Sequence, residues 1–263
     1  MYTPPGYGAG SEPCGLALLF DGALYRSLMP LPTILDNLLA ERRLPPTVAV
    51  LVDSVSREQR TRELVCSEPF TACLARELLP WVRRHYRVSA DPARVVVGGH
   101  SLGGLAAAYA AFRHADLFGN VLSQSGAFWW WRPDRRWGEP PDEATEYEWL
   151  THEFATHPRR PLRFYLNVGL LESTASAPGM PSMLLANRHL RDVLQAKGYP
   201  VAYAEFAGGH TFLCWRGTLA DGLLALLGRP RTLRRHRAGA PPVRPTRAAR
   251  RRPPATRRIV RGS

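Results

Sequence analysis

No apolar run in this chain approaches the ~18 residues needed to cross a bilayer. Residues 1–15, MYTPPGYGAGSEPCG, hold no basic cluster followed by an apolar one. Both absences argue against a membrane span and a secretory leader of the usual pattern, and the expected location is cytoplasmic. Cysteine is scarce: Cys14, Cys66, Cys73 and Cys214 show neither C-x-x-C nor C-x-x-C-H spacing. Zinc, dithiol redox and haem-attachment readings therefore have no support, and buried free thiols are expected. No metal or cofactor is called for, and no internal repeat is visible.

Acidic residues are missing from one place only. Residues 229–263 hold 13 arginines and no acid, so the rest of the chain carries 22 basic and 22 acidic residues and is neutral, although the whole has a net charge of +13. That segment is rich in Pro, Arg, Ala and Thr and poor in large apolar residues, a composition that cannot bury enough surface to order itself. It is expected to be a disordered tail, separate from a domain over 1–228. It is a solvated extension or, alternatively, a non-specific attachment to nucleic acid or anionic lipid.

Over 1–228, apolar or β-branched runs recur at 16–20, 47–52, 94–98, 119–124, 162–168 and 201–206. Between them lie stretches of helical period, such as PFTACLARELLPWVRRHY (69–86) and MLLANRHLRDVLQAKG (183–198), the latter stopped by Gly198. Near-continuous apolar strands separated by helices predict an α/β fold with a mostly parallel sheet covered on both faces.

The segment RVVVGGHSLGGLAAAYAAF (94–112) carries four glycines around one serine. Gly99, Ser101 and Gly103 form G-x-S-x-G between a strand and a helix, the context in which a serine on a sharp turn becomes a nucleophile and its neighbours must be small. A serine hydroxyl needs a base, and the base an orienting acid. Of eight histidines only His210, in AEFAGGHTFLCWRG, follows a strand within a glycine turn beyond the serine. It is the expected base. Glu172, in LNVGLLES just past the preceding strand, is the expected acid, with Asp192 and Glu205 as rivals. An oxyanion would be held by the N–H of Leu102 and by a second donor from Asp21–Ala23, where Gly22 allows close approach.

The blocks YTPPGYG, LLFDGALYRSLMP, VDSVSREQRTREL, ELLPWVRRHY, GGHSLGGLAA, VLSQSGAFWWW and FAGGHTFLCWRGTLADGLLALLG resemble the catalytic domain of the enterochelin (ferric enterobactin) esterases. The resemblance covers 2–228 and implies an α/β-hydrolase fold that cleaves the ester bonds of a trilactone catecholate siderophore and releases its iron. Ser101 and His210 match the family's nucleophile and base; the acid matches less closely. The implied partner is a small-molecule siderophore ester, with or without iron, and no specific nucleic acid. Anionic aromatic substrates call for arginines and flat rings, which points to Arg62, Trp215, Arg216 and Trp129 in the FWWW run. The alternatives are core packing for the tryptophans and ion pairing for the arginines. Another carboxylesterase or acyltransferase would share the same triad.

Family members often carry a further N-terminal domain, and an α/β-hydrolase sheet usually has eight strands. Six are counted here, so the first two are expected to be missing and TVAVLV (47–52) to be left as an open edge. Upstream coding sequence is the expected source of the absent strands.

Overall fold

The computed structural model describes residues 1–10, 12–131 and 146–228. The tail expected at 229–263 lies outside the described residues. The chain runs β1 (Gly15–Phe20), α1 (Gly22–Ser27), α2 (Leu31–Ala40), β2 (Thr47–Val52), α3 (Arg57–Leu64), α4 (Glu68–Cys73), α5 (Leu79–His85) and β3 (Val95–His100). It continues through α6 (Leu102–Arg113), β4 (Asn120–Gln124), α7 (Trp149–Thr156), β5 (Arg163–Gly169), α8 (Met183–Ala196), β6 (Val201–Phe206) and α9 (Phe212–Leu227). The six strands form one parallel sheet in the order β2-β1-β3-β4-β5-β6.

Alternation along each strand divides the core in two. Leu16, Leu18, Phe20, Val95, Val97, Phe164 and Leu166 face the layer that contains α6 and α8. Ala17, Leu19, Val96, Leu122 and Tyr165 face α1, α2 and α9. Both faces of β1–β5 are covered, which is why these strands read as nearly unbroken apolar runs rather than as alternating ones. After β1 the chain builds β2 on one side and then β3 on the other. The carboxyl ends of β1 and β3 thus flank the point where the winding reverses, where such sheets open a crevice.

β2 is the end strand, as expected, but its outer edge is not bare. Tyr2 exchanges two backbone hydrogen bonds with Ala49, at 2.8 and 3.0 Å. The Tyr2 hydroxyl also donates to Asp36 Oδ1 at 2.6 Å, which fixes this short antiparallel bridge against α2. The single helix expected over 69–86 is instead α4 and α5 joined by a π turn over Leu74–Leu78. Pro80 in the first turn of α5 has no N–H to donate and crowds the preceding turn, and the wider turn accommodates it. α8 starts on the Ser182 hydroxyl, which accepts from the Leu185 N–H, and stops at Gly198, whose φ of +77° suits glycine. Of the four free cysteines only Cys14 and Cys66 are buried; Cys73 is exposed and Cys214 intermediate, so the expectation of buried thiols holds for two.

Candidate active site

Three chain turns at the carboxyl edge of the sheet build the site. The first lies between β3 and α6, where Ser101 adopts φ +55° and ψ −123°, a left-handed conformation that costs a non-glycine residue about 1–3 kcal/mol. The turn is fixed because the Ser101 N–H donates to the Gln124 carbonyl at 3.0 Å while its own carbonyl accepts from Ala127 N–H at 3.0 Å. Strand and helix meet so closely here that a Cβ on Gly99 would lie 2.6 Å from the Gly103 carbonyl carbon. Glycine at 99 is a packing requirement, and it lets the hydroxyl of Ser101 stand free above the sheet.

The second turn follows β5. Glu172 is buried, and its N–H donates to the Gly169 carbonyl at 3.1 Å. The third follows β6, where the Leu171 N–H donates to the Gly208 carbonyl at 2.9 Å and ties the two turns together. A side chain at Gly169 would run into Gly208, so the turns approach only because residue 169 is glycine.

These turns bring the three expected groups into line. His210 Nε2 lies 3.0 Å from Ser101 Oγ, and His210 Nδ1 lies 2.6 Å from Glu172 Oε2. Because the carboxylate accepts, Nδ1 carries the hydrogen and Nε2 is free to take one from the serine. Both rivals for the acid are occupied elsewhere. Asp192 is exposed on α8 beside Arg191, and Glu205 accepts from Arg188 and from the Tyr203 hydroxyl.

The β1–α1 turn borders the start of α6. A Cβ on Gly103 would sit 3.3 Å from Asp21 Oδ2 and 3.4 Å from Phe20 Cβ. Asp21 is left-handed (φ +62°), and both of its carboxylate oxygens are gripped by the Arg60 guanidinium. Gly22 packs against Leu51 of β2, where a Cβ would be 2.8 Å from the Leu51 Cβ. His100, next to the serine, faces away from it. Its ring stacks on Trp215 with centroids 4.4 Å apart, and its Nε2 lies 3.4 Å from Asp21 Oδ2. Burial pushes its pKa down to about 4, partly opposed by Asp21 and reinforced by Arg60 and His210.

The expected substrate contacts divide. Trp129 is half-buried and lines a cavity of about 270 Å³ with Leu171, Met180, Met183, Glu172 and His210. Phe128 and Trp130 are core, so the packing alternative holds for them. Trp215 is corrected: it is buried behind the triad, donating from Nε1 to Ser125 Oγ at 2.9 Å, and offers no face to a ligand. Arg62 and Arg216 are exposed and outside the cavity lining. The arginine of α3 that reaches the site is Arg60, two positions earlier. Ser125 and Arg60 were missed by sequence reasoning, and Asp21 was expected only as part of the turn around Gly22 that offers the second oxyanion donor, not as the partner of Arg60.

Comparison with known proteins places the chain among esterases. A family model described as "Putative esterase" matches residues 1–226. The chain is 35% identical over 235 residues to the iron(III) enterobactin esterase of Dickeya dadantii, covering 86% of this chain and 51% of the relative. It is 36% identical over 218 residues to the iron(III) enterobactin esterase of Escherichia coli O6:H1, covering 83% and 51%. Among solved structures it superimposes on the enterobactin esterase FES of Shigella flexneri, determined in the presence of enterobactin, with a TM-score of 0.71 and 33% identity over 86% of this chain and 53% of that one. The chain spans about half the length of the curated relatives it matches.

Proposed function

Because the chain belongs to the esterase family, whose model covers residues 1–226, we propose that it is a serine esterase hydrolysing the ester bonds of a catecholate siderophore trilactone and thereby releasing iron. The observation that carries the proposal is the unbroken line Ser101–His210–Glu172, with spacings of 3.0 and 2.6 Å. Support for the substrate comes from the relatives, which are named iron(III) enterobactin esterases.

In this reading Ser101 Oγ attacks the ester carbonyl as His210 Nε2 takes its proton, and Glu172 stabilises the imidazolium. The oxyanion is held by the Leu102 N–H, at the open end of α6 where backbone donors lack intrahelical partners, and by the N–H of Gly22 across the crevice. His210 then protonates the departing alcohol, and water discharges the acyl-serine by the same route. Iron enters as cargo: cutting the trilactone separates the catecholate arms and removes the chelate advantage. The proposal carries with it a cytoplasmic location, where released iron would be used. Among the described residues no helix is long and apolar enough to cross a membrane.

A second reading, a carboxylesterase of a different aryl or alkyl ester, is favoured by a cavity lining that includes Trp129, Leu171, Met180 and Met183 but neither Arg62 nor Arg216. Chromatography of products from ferric and iron-free catecholate trilactones, beside small neutral esters, separates the two. Turnover of a trilactone by wild type and its loss in Ser101→Ala are expected. Turnover of neutral esters alone would favour the second reading.

A further inference from the structure

The triad does not end at its acid. Ser125, fully buried at the end of β4, donates its hydroxyl to Glu172 Oε1 at 2.6 Å, and its Oγ lies 2.9 Å from Trp215 Nε1. The direction of this chain is forced by chemistry. An indole N–H donates only, so Ser125 Oγ accepts from Trp215 and its single hydrogen is left for Glu172. The Gly169 N–H donates to the same Oε1 at 2.8 Å. Oε1 is thus an acceptor twice over, and Oε2 is the oxygen left to face His210 Nδ1.

Both contributors are held for this task by their own elements. Ser125 is left-handed (φ +48°), and its N–H donates to the Asn167 carbonyl at 2.7 Å. Gln124 Nε2 donates to the Trp215 carbonyl at 2.7 Å and to Thr218 Oγ1 at 2.8 Å, which pins the first two turns of α9 to the end of β4. The Trp215 ring is stacked on His100 on one side and meets the His210 ring at 89°, centroids 4.8 Å apart. One indole therefore touches the base directly and reaches the acid through Ser125.

We infer that Ser125 and Trp215 are positioning residues for the serine reaction, forming a one-way donor chain, Trp215 Nε1–H to Ser125 Oγ–H to Glu172 Oε1. The chain locks the carboxylate so that Oε2 holds His210 in its Nδ1–H tautomer. The inference rests on the esterase reading, since it supposes that Ser101 is activated by His210.

The test compares wild type with Ser125→Ala, Ser125→Gly and Trp215→Phe. It measures labelling of Ser101 by a fluorophosphonate, which needs no knowledge of the natural substrate, and kcat and KM on p-nitrophenyl acetate. Removing a buried hydrogen bond to a charged group should slow labelling and kcat about ten- to hundredfold, with KM within about twofold. Ser125→Gly relieves the left-handed backbone, so a slow Ser125→Gly enzyme is not explained by misfolding. Trp215→Phe removes the donor and leaves a smaller aromatic ring in the same place, and should slow both by about three- to tenfold. In a Glu172→Gln background, Ser125→Ala should add less than about threefold, because the chain acts only through Glu172. Labelling of either Ser125 variant at the wild-type rate, or full multiplication of the two losses in the double variant, overturns the inference and leaves the esterase reading intact. A wild-type enzyme that resists the fluorophosphonate overturns both.

Discussion

Arg60 closes on both carboxylate oxygens of Asp21, the left-handed residue that turns the chain from β1 into α1. Asp21 is nearly buried and Arg60 only partly so, which places the pair between the exposed ion pairs that contribute little and the buried ones whose breakage leaves a stranded charge. Arg60→Ala should therefore cost about 2 kcal/mol of stability and lower kcat on a small ester about tenfold, because the proposed Gly22 donor loses its fixed turn. Arg62→Ala, on the same helix but exposed, should change neither. Urea unfolding and steady-state rates of the two variants check this, and equal effects would contradict it.

The nucleophile's backbone is strained, and that strain separates two substitutions that abolish the same chemistry. Ser101→Ala keeps the left-handed turn and a Cβ; Ser101→Gly removes the Cβ and with it the steric cost. Both should lose several orders of magnitude in turnover. Ser101→Gly should nonetheless be about 1 kcal/mol more stable than Ser101→Ala, strain relief outweighing the added chain entropy of glycine. Thermal unfolding decides: an alanine variant as stable as the glycine one would mean the turn is not strained.

Strands β1–β5 were legible in the sequence because strands buried on both faces write themselves as short apolar runs, and β6, an end strand with no buried residue, was legible from its β-branched and aromatic residues; the bounds at 47–52 and 201–206 are the observed ones. Ser101, His210 and Glu172 were legible because each sits where a strand gives way to a turn. Trp215 was misread because position alone does not say which way a ring points: it lies five residues past His210, and α9 turns it inward beneath the triad. Arg60 and Arg62 show the same limit, since two residues on a helix face different directions and only the fold selects the one that meets Asp21. Ser125 was invisible for a further reason. Its partners, Glu172 and Trp215, are 47 and 90 residues away, and a lone serine after a strand carries no local signature of them.

His100 makes stability depend on acidity. Its pKa is about 4 in the folded protein because burial disfavours the charged ring, against about 6.5 in an unfolded chain. Between these values the unfolded state binds the extra proton. Stability is thus fully present above about pH 6.5 and is lost as pH falls toward 4, by about 3 kcal/mol from this group. Asp21 faces the ring and opposes the shift, while Arg60 and His210 reinforce it. His100→Gln should flatten the stability profile over that window when unfolding is followed by urea titration from pH 4 to 7. An unchanged slope would assign the acid sensitivity to other groups.

Substrate recognition should follow the cavity rather than the charges. Trp129, Leu171, Met180 and Met183 supply the apolar part of the cavity lining beside Thr174, Ser176, Glu172 and His210, while Arg62 and Arg216 are exposed and do not line it. An aryl group bound there would lose contact with most of an indole in Trp129→Ala, about 1–2 kcal/mol of buried apolar area, or a five- to thirtyfold rise in KM. Arg62→Ala and Arg216→Ala should raise KM for the same substrate less than about twofold, since exposed charges are screened by water and salt. The measurement is KM for one ferric catecholate ester and one neutral aryl ester across the three variants. A parallel rise on both substrates in Trp129→Ala fits recognition of the ring itself. If either arginine variant raises KM for the ferric ester more than Trp129→Ala does, charge and not the cavity selects the substrate.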